Sequence, residues 1–202
     1  MEVQAVPREP GRDAPTPLDG EQTLVLAFGG AGADEREEAA RELGVAFPRA
    51  AVVGCSTSGA PSTTAVRFRR VGLRTVSWAL PPGDEGVAAV AAFARALATE
   101  EPPALVVAFG RRAGSDGDAI LAALREALLE QTALAGGLAD GGGGAWVLGA
   151  EGTGDVLVGV ALHGRDLVVQ QSASAAEATE AGGGFSLAVG RGRRRRATRG
   201  SW

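Results

Sequence analysis

The sequence lacks lysine, tyrosine and asparagine, and it holds one histidine, one cysteine and one methionine among its 202 residues. Without lysine the chain can supply neither a P-loop lysine nor a Schiff base. One histidine cannot make a two-histidine zinc site, and one cysteine can form neither a thiolate cluster nor an internal disulfide. These absences predict no metal, no cofactor and no need for an oxidising compartment.

Long hydrophobic runs are also missing. No run reaches the roughly 18–20 residues that cross a bilayer. Residues 1–17 lack the basic start and the hydrophobic stretch of a signal peptide. We therefore expect no membrane insertion and a location in the cytoplasm.

Positive charge is scarce outside the C-terminus. Six of the 20 basic residues lie in the last twelve positions, which leaves residues 1–190 with 14 arginines against 24 acidic residues, a net charge of −10. Nucleic-acid-binding domains carry a basic face on the fold itself. The acidic body therefore predicts no specific nucleic-acid partner.

What the chain does contain is an order of motifs that occurs twice. TLVLAFGG (23–30) is a hydrophobic run that ends in glycines, which predicts a buried strand. A helical pattern follows, and then AAVVGCSTSG (50–59) predicts a strand that runs into a tight turn. ALVVAFGR (104–111), a second helical pattern and TALAGGLADG (132–141) repeat this order.

Three landmarks align the two copies at a nearly constant shift. Phe28 aligns with Phe109 at a shift of 81 positions, and Gly54 aligns with Gly136 at a shift of 82 positions. Residues 76–78 align with residues 160–162 at a shift of 84 positions. The shift predicts a duplicated strand–helix–strand–strand–strand unit, and chance similarity of hydrophobic runs is the alternative. Such a unit gives the α/β class, as a mixed and layered α/β domain with helices packed on sheet.

Local patterns add three structural predictions. Asp34 is the predicted N-cap of the first helix. Residues 65–68 and 71–80 read as the two strands of a hairpin. Trp78 and Trp146 fall within predicted strands, and we expect both in the core.

Composition divides the chain into three parts. Residues 1–20 are rich in proline, glycine and charge without periodicity, which predicts a disordered arm. Residues 21–170 carry the periodic patterns and form the predicted folded domain. Residues 171–202 are low in complexity and end in an arginine-rich tail, where we expect little packed structure.

The most distinctive segment places four small side chains between two glycines. We call it the first glycine segment, and it consists of Gly54, Cys55, Ser56, Thr57, Ser58 and Gly59. Glycine lets a backbone turn sharply and approach a ligand closely, and amides and hydroxyls there can hold a carboxylate or a phosphate. The alternative is a tight turn whose hydroxyls bond their own backbone.

The second copy has a matching segment at residues 136–141, the second glycine segment. Gly136 aligns with Gly54, and Gly137 follows it. Asp140 is the one charged residue in the segment. This carboxylate either meets a ligand ammonium or bonds its own turn.

One pair of side chains offers a catalytic alternative. Cys55 can act as a thiol nucleophile if a base activates it, and His163 is the one histidine. A lone cysteine is more often packed as a small hydrophobic group, and a histidine at a strand end is more often a surface residue. We therefore expect no catalytic residue, with a thiol-dependent hydrolase or transferase as the alternative.

The order of motifs resembles the N-terminal domain of the FIST family (F-box and intracellular signal transduction). The resemblance rests on LVLAFGG, FPRAAVVGCSTSG, LVVAFGRRAGSDGDAILAAL, GGLADG and VGVALHG, and it covers about residues 23–170. It implies a sensory domain of signalling proteins that binds small ligands such as amino acids, without a cofactor or an established reaction. By this resemblance the two glycine segments form the pocket of a FIST N-like ligand-binding domain over residues 21–170.

The predicted function is therefore a non-catalytic sensory domain for intracellular signal transduction. Its expected partners are a small polar metabolite, held by the two glycine segments, and a signalling protein. A truncated interaction module without a ligand is a further alternative.

Overall fold

The computed structural model describes most of the chain between residues 2 and 189. The described residues are 2–5, 16–30, 32–57, 61–81, 84–98, 101–111, 117–139, 146–149, 156–164, 167, 169–170 and 188–189. The strands and helices in chain order are β1 (Glu2–Ala5), β2 (Thr23–Gly29), α1 (Ala33–Ala46), β3 (Ala51–Ser56), β4 (Ser62–Arg67), β5 (Gly72–Ala79), α2 (Asp84–Leu97), β6 (Leu105–Arg111), α3 (Gly117–Ala127), β7 (Ala133–Ala139), β8 (Val147–Leu148), β9 (Val156–His163), β10 (Val169–Gln170) and β11 (Ala188–Val189).

The two main sheets and the three described helices form four layers. The first sheet has the order β1-β4-β2-β3-β8, and the second has the order β5-β9-β6-β7. Side chains of both sheets, such as Leu24 and Val158, form one buried cluster between them. Helix α1 covers the outer face of the first sheet, while α2 and α3 cover the outer face of the second. The predicted α/β class and layered arrangement are confirmed.

The hydrophobic runs that repeat in the sequence are the inner strands β2 and β6. Almost every residue of both strands is buried. A strand with one face on the opposite sheet and the other under a helix buries both faces. This explains why both runs are hydrophobic without alternation.

The two sheets share the order and direction of four strands. β2 and β6 pair in parallel with β3 and β7. On their other side they pair antiparallel with β4 and β9, which in turn pair antiparallel with β1 and β5. Ala27 lies opposite Gly54 and Ala108 lies opposite Gly136, so the aligned glycines occupy equivalent places.

The third landmark of the alignment is wrong. Residues 76–78 and 160–162 are not equivalent, because their strands are neighbours in one sheet, with Val76 opposite Gly159. By pairing, β5 corresponds to β1, and β9 corresponds to β4. The strand–helix–strand–strand–strand unit is therefore not the unit of the fold, and a duplication stays a prediction.

The predicted hairpin of residues 65–68 and 71–80 is also wrong. β4 belongs to the first sheet and β5 to the second, so the chain crosses between the sheets at this point. Phe68 and Val71 are buried between the sheets and anchor the crossing. A local pattern does not distinguish a hairpin from a crossing, because both join two strands by a short connection.

Three local predictions have different outcomes. Trp146 is buried, which confirms its core assignment. Trp78 is 37% exposed because β5 is an edge strand, so its core assignment is wrong. The N-cap of α1 is Gly32, with no side-chain hydrogen bond to the helix end, and Asp34 lies exposed in the first turn instead of capping it.

Part of the predicted N-terminal arm is structured. Residues 2–5 form an edge strand on β4, and Leu18 and Asp19 are buried. The carboxylate of Asp19 accepts hydrogen bonds of 2.9 Å from the backbone N–H and from Nε of Arg49. The prediction of disorder is therefore wrong for these residues, while residues 6–15 lie outside the described part of the chain.

The predicted tail is described only in part. β11 (Ala188–Val189) pairs antiparallel with β10 (Val169–Gln170) in a small ribbon of its own. The other residues from 171 to 202 lie outside the described ranges.

Candidate functional site

Both glycine segments begin at the same end of the molecule. Phe28 lies opposite Cys55 where β2 and β3 end, and Phe109 lies opposite Gly137 toward the ends of β6 and β7. The two phenylalanine rings meet edge to face, with centroids 5.6 Å apart. The carboxyl ends of these parallel strands therefore gather in one place, which we call the strand-end region. Open α/β sheets bind their ligands outside the carboxyl ends of their strands.

The backbone itself requires two of the predicted site glycines. A Cβ on Gly54 would overlap the carbonyl oxygen of Ala27 on the neighbouring strand β2. A Cβ on Gly136 would likewise overlap the carbonyl oxygen of Ala108 on β6. Gly136 also has a φ of +129°, which favours glycine. Both glycines are thus required for the pairing of β3 and β7 with their neighbouring strands, in addition to any contact with a ligand.

Trp146 holds the first glycine segment in place. The backbone N–H of Trp146 donates to Oγ of Ser56 at 3.1 Å, and the backbone N–H of Ser56 donates to the carbonyl oxygen of Trp146 at 2.9 Å. The indole Nε1 donates to the carbonyl oxygen of Gly30 at 2.7 Å. The backbone N–H of Thr57 donates to the carbonyl oxygen of Gly29 at 2.7 Å. The first glycine segment is therefore fixed at Ser56 and at the backbone of Thr57.

The thiol of Cys55 lies between the sheets. The residue is 8% exposed and belongs to the hydrophobic cluster there. Burial raises the pKa of the Cys55 thiol to about 11, because the charged thiolate is poorly solvated in this cluster. A thiol with so high a pKa is protonated at neutral pH and is a weak nucleophile.

The structure places His163 toward the other end of the sheets. His163 is the residue after Leu162, which lies opposite Leu105 at the start of β6. The Phe28–Phe109 contact places Cys55 near the other end of β6, and Leu105 lies about 13 Å along that strand from Phe109. Nδ1 of His163 lies 3.1 Å from the carbonyl oxygen of Glu101. The sheets therefore do not bring this histidine and the thiol together as a nucleophile and its base.

The second glycine segment is more open than the first. Gly136 is exposed and Gly137 is half-buried. A Cβ added to Gly137 would meet nothing within 4 Å. Ser58, Gly59 and Asp140 lie outside the described residues, so their part in a site stays a prediction.

A cleft of about 220 Å³ opens between α3 and the strands β6 and β7. We call it the α3–β7 cleft. Its lining consists of Ala108, Gly110, Ile120, Leu121, Leu124, Arg125, Leu134, Ala135, Gly136, Gly137 and Leu157. Arg125 is the one charged residue in this lining. The sequence analysis did not predict the cleft, because its walls come from segments far apart in the chain.

Two further properties concern metals and membranes. Within the described ranges, no three histidine, cysteine, aspartate or glutamate side chains come close enough together to hold a metal ion. None of the helices in the described part of the chain is long and apolar enough to cross a membrane.

A family model described as the FIST N domain matches residues 23–182, which is most of the chain. The chain belongs to this family. FIST N domains are in general sensory domains of signal-transduction proteins, and the resemblance drawn from the motifs is confirmed. No curated protein matches the chain. The match begins at the first residue of β2 and includes both glycine segments and the α3–β7 cleft of this FIST N domain.

Proposed function

We propose that this FIST N domain binds a small polar metabolite, an amino acid or an organic acid, at the strand-end region of a cytoplasmic signalling protein. The proposal rests on one observation above all. The Phe28–Phe109 contact brings the carboxyl ends of β2 and β6 together, and with them the starts of both glycine segments. Two polar segments that meet in this way can hold one ligand from two sides.

The residue types at the strand-end region suit a small zwitterion or anion. Backbone amides and hydroxyls bind carboxylates through hydrogen bonds, and a carboxylate such as Asp140 binds an ammonium group. The proposed site consists of Gly54, Cys55, Ser56, Thr57, Ser58, Gly59, Gly136, Gly137 and Asp140. Gly54 and Gly136 allow the close strand pairing that leads into the site, while Thr57 and Asp140 are the proposed direct contacts.

The proposed domain is a sensor and not an enzyme. The high pKa of the Cys55 thiol and the position of His163 both argue against a thiol-based mechanism. A ligand that orders the two glycine segments would change the surface beside them, which a signalling protein can then recognise.

Thermal unfolding against a library of amino acids, organic acids and nucleotides tests this proposal. A ligand at about 100 times its Kd adds roughly 2.7 kcal/mol to the free energy of unfolding. For a domain of this size that raises the Tm by about 5–11 °C. We expect one compound class to raise the Tm in this range, and a cooperative melt that no compound shifts would contradict the proposal.

Matched variants locate the binding. Gly137→Ala adds a methyl group into open space, so it leaves folding intact while narrowing the approach to the strand-end region. Thr57→Val removes one hydroxyl. Gly44→Ala is the control, because Gly44 is exposed in the last turns of α1 and an added Cβ there meets nothing within 4 Å. The ligand-induced rise in Tm should shrink in the first two variants and persist in the control.

A further inference from the structure

The two sheets differ at one outer edge. In the first sheet β8 pairs antiparallel with the outer edge of β3, with Gly54 opposite Leu148 and Cys55 opposite Val147. In the second sheet the equivalent strand is β7, and the equivalent positions are Gly136 and Gly137. No strand in the described ranges pairs with this outer edge of β7. Among the described strands, the outward N–H and C=O groups of β7 have no partner, and such an edge is a template for a further strand.

The outer edge of β3, which β8 occupies, shows how an added strand packs against the rest of the fold. Trp146 and Leu148 are 2% and 3% exposed, and both belong to the hydrophobic cluster under α1. They are two residues apart, so they project to the same face of the strand. Between them, Val147 projects to the other face and joins the cluster between the sheets. The groove between α1 and β3 is thus occupied by two large side chains of an added strand.

The equivalent groove in the second sheet is the α3–β7 cleft. Helix α3 has the place of α1, and β7 has the place of β3. The walls are hydrophobic where they are deepest, at Ile120, Leu124 and Leu157, which are at most 2% exposed. An apolar cavity of about 150 Å³ takes up benzene, so the 220 Å³ of this cleft is room for an aromatic side chain.

We propose that an extended segment of a partner protein adds antiparallel to β7 and inserts a large hydrophobic side chain into the α3–β7 cleft. Backbone hydrogen bonds to β7 supply affinity, and the cleft supplies selectivity for the side chain. The segment has an aromatic and an aliphatic residue two positions apart, as Trp146 and Leu148 are. Arg125 at the cleft favours an acidic residue beside them, because its guanidinium pairs with carboxylates.

The occupant comes from another protein for two reasons. Every other described strand already pairs with a neighbour in its own sheet or ribbon. A second copy of β7 has the sequence ALAGGLA, which offers no aromatic side chain to fill the cleft as Trp146 fills the groove beside β3. The docking edge shares Gly136 and Gly137 with the proposed ligand site. The peptide experiments contain no small ligand, so the failure of one proposal does not decide the other.

Peptide binding to the full chain tests the proposal. The probe is a fluorescein-labelled peptide, EAWVLGAE, which carries the hydrophobic pattern of β8 between two acidic residues. The control peptide has alanine in place of tryptophan and leucine. We expect saturable binding by fluorescence anisotropy, with an affinity at least tenfold higher for the probe. Equal binding of both peptides, or no saturable binding, would overturn the proposal.

Variants of α3 test the position of the peptide. Leu121→Glu places a charge in the cleft and should weaken binding at least tenfold. Ala122→Glu is the matched control, because Ala122 is exposed and lies outside the cleft lining. Arg125→Ala should weaken binding of the acidic peptide severalfold and leave a glutamine version of it unchanged. Unchanged binding in both cleft variants would overturn the proposal.

Amide hydrogen exchange distinguishes the remaining outcomes, including the case in which Leu121→Glu fails to fold. Protection that increases on peptide binding at residues 133–139 and stays unchanged at residues 51–56 supports docking on β7. Protection changes at residues 51–56 mean that the peptide displaces β8, and the proposal is then wrong. It is also wrong if residues 133–139 are fully protected in the free monomer, or if the chain dimerises through them.

Discussion

The two halves of the molecule, each a main sheet with its helices, share one arrangement of four strands. They differ in what packs beside β3 in the first sheet and beside β7 in the second. On the first sheet, Trp146 and Leu148 fill the groove beside β3, and Ser56 is hydrogen-bonded to Trp146. On the second sheet the same groove is a 220 Å³ cleft beside the exposed Gly136. One half of the fold is packed for stability, and the equivalent half keeps an open groove.

The two halves also differ in the hydrogen bonds that hold the loops before β3 and β7. Just before β3, the backbone N–H and the guanidinium Nε of Arg49 donate hydrogen bonds to the buried carboxylate of Asp19. Before β7, the hydroxyl of Thr132 donates to the carbonyl oxygen of Pro103 at 2.9 Å. Equivalent loops are thus tied by an ion pair in the first half and by a neutral hydrogen bond in the second.

The largest expected effect comes from the two glycines that the halves share. Gly54→Ala and Gly136→Ala should each lower the free energy of unfolding by more than about 3 kcal/mol, since the new Cβ overlaps a carbonyl oxygen of the neighbouring strand. Urea unfolding followed by circular dichroism measures this loss. Gly137→Ala, which meets nothing within 4 Å, is the control. If either glycine variant keeps wild-type stability, the two strand ends are not built alike.

The next effect separates the filled groove from the open one. Trp146→Ala should cost about 3–5 kcal/mol, because it empties a buried site and removes the indole hydrogen bond to Gly30. Leu121→Ala, in the open cleft, should cost about 1 kcal/mol or less, since Leu121 is only half-buried. Equal losses in urea unfolding would show that the cleft is as tightly packed as the groove beside β3.

The ion pair of the first half should make its stability depend on pH. Burial disfavours the charged form of Asp19, but the hydrogen bonds and the positive charge of Arg49 outweigh this and lower the pKa of the carboxyl. A lowered pKa stabilises the fold above the unfolded value of about 3.9, and this contribution is lost as the pH falls through the folded value. Asp19→Asn should therefore cost about 1–2 kcal/mol at pH 7.

Unfolding free energies between pH 7 and pH 2 check this expectation. The difference between wild type and Asp19→Asn should be constant down to about pH 4 and vanish below it. Thr132→Val, its counterpart in the second half, should cost about 1 kcal/mol at every pH. A pH-independent cost for Asp19→Asn would mean that the charge of Asp19 contributes nothing to stability.

The last prediction concerns a reaction rate and not stability: the alkylation of the thiol of Cys55, which has Gly137 as its counterpart. With a pKa of about 11, only about one thiol in a thousand is ionised at pH 8. Alkylation by iodoacetamide should therefore be at least about 100-fold slower in the folded chain than in urea. Mass spectrometry of the alkylated protein measures both rates. Rapid alkylation of the folded chain at pH 7 would restore the thiol-enzyme alternative.

Local patterns were sufficient for the inner strands and for the aligned glycines. β2 and β6 are hydrophobic throughout because both faces are buried, and Gly54 and Gly136 stand at the same register beside them. The edge strands could not be assigned in this way. β1 is four residues long and lies in a proline- and charge-rich region, so no periodicity marks it.

The candidate site was predictable only in its glycine-bounded segments. That Ser56 bonds to Trp146, 90 positions away in the sequence, has no local signal. The α3–β7 cleft is of the same kind, because its leucines have the spacing of ordinary core residues. Whether such a residue contacts another side chain or lines an open groove depends on whether a further strand pairs with the edge beside it.

The sequence alone was enough to predict the α/β class, the family, the buried inner strands and the alignment of Gly54 with Gly136, since each depends on residues close together in the chain or on motifs in a constant order. Only the tertiary structure decided that β5 leaves the first sheet for the second, and that β8 leaves its neighbours in the chain to pair with β3. Strand pairing joins any two compatible edges, and the energy that selects one partner comes from packing across the whole sandwich. The difference between a filled groove and an open cleft follows from that selection.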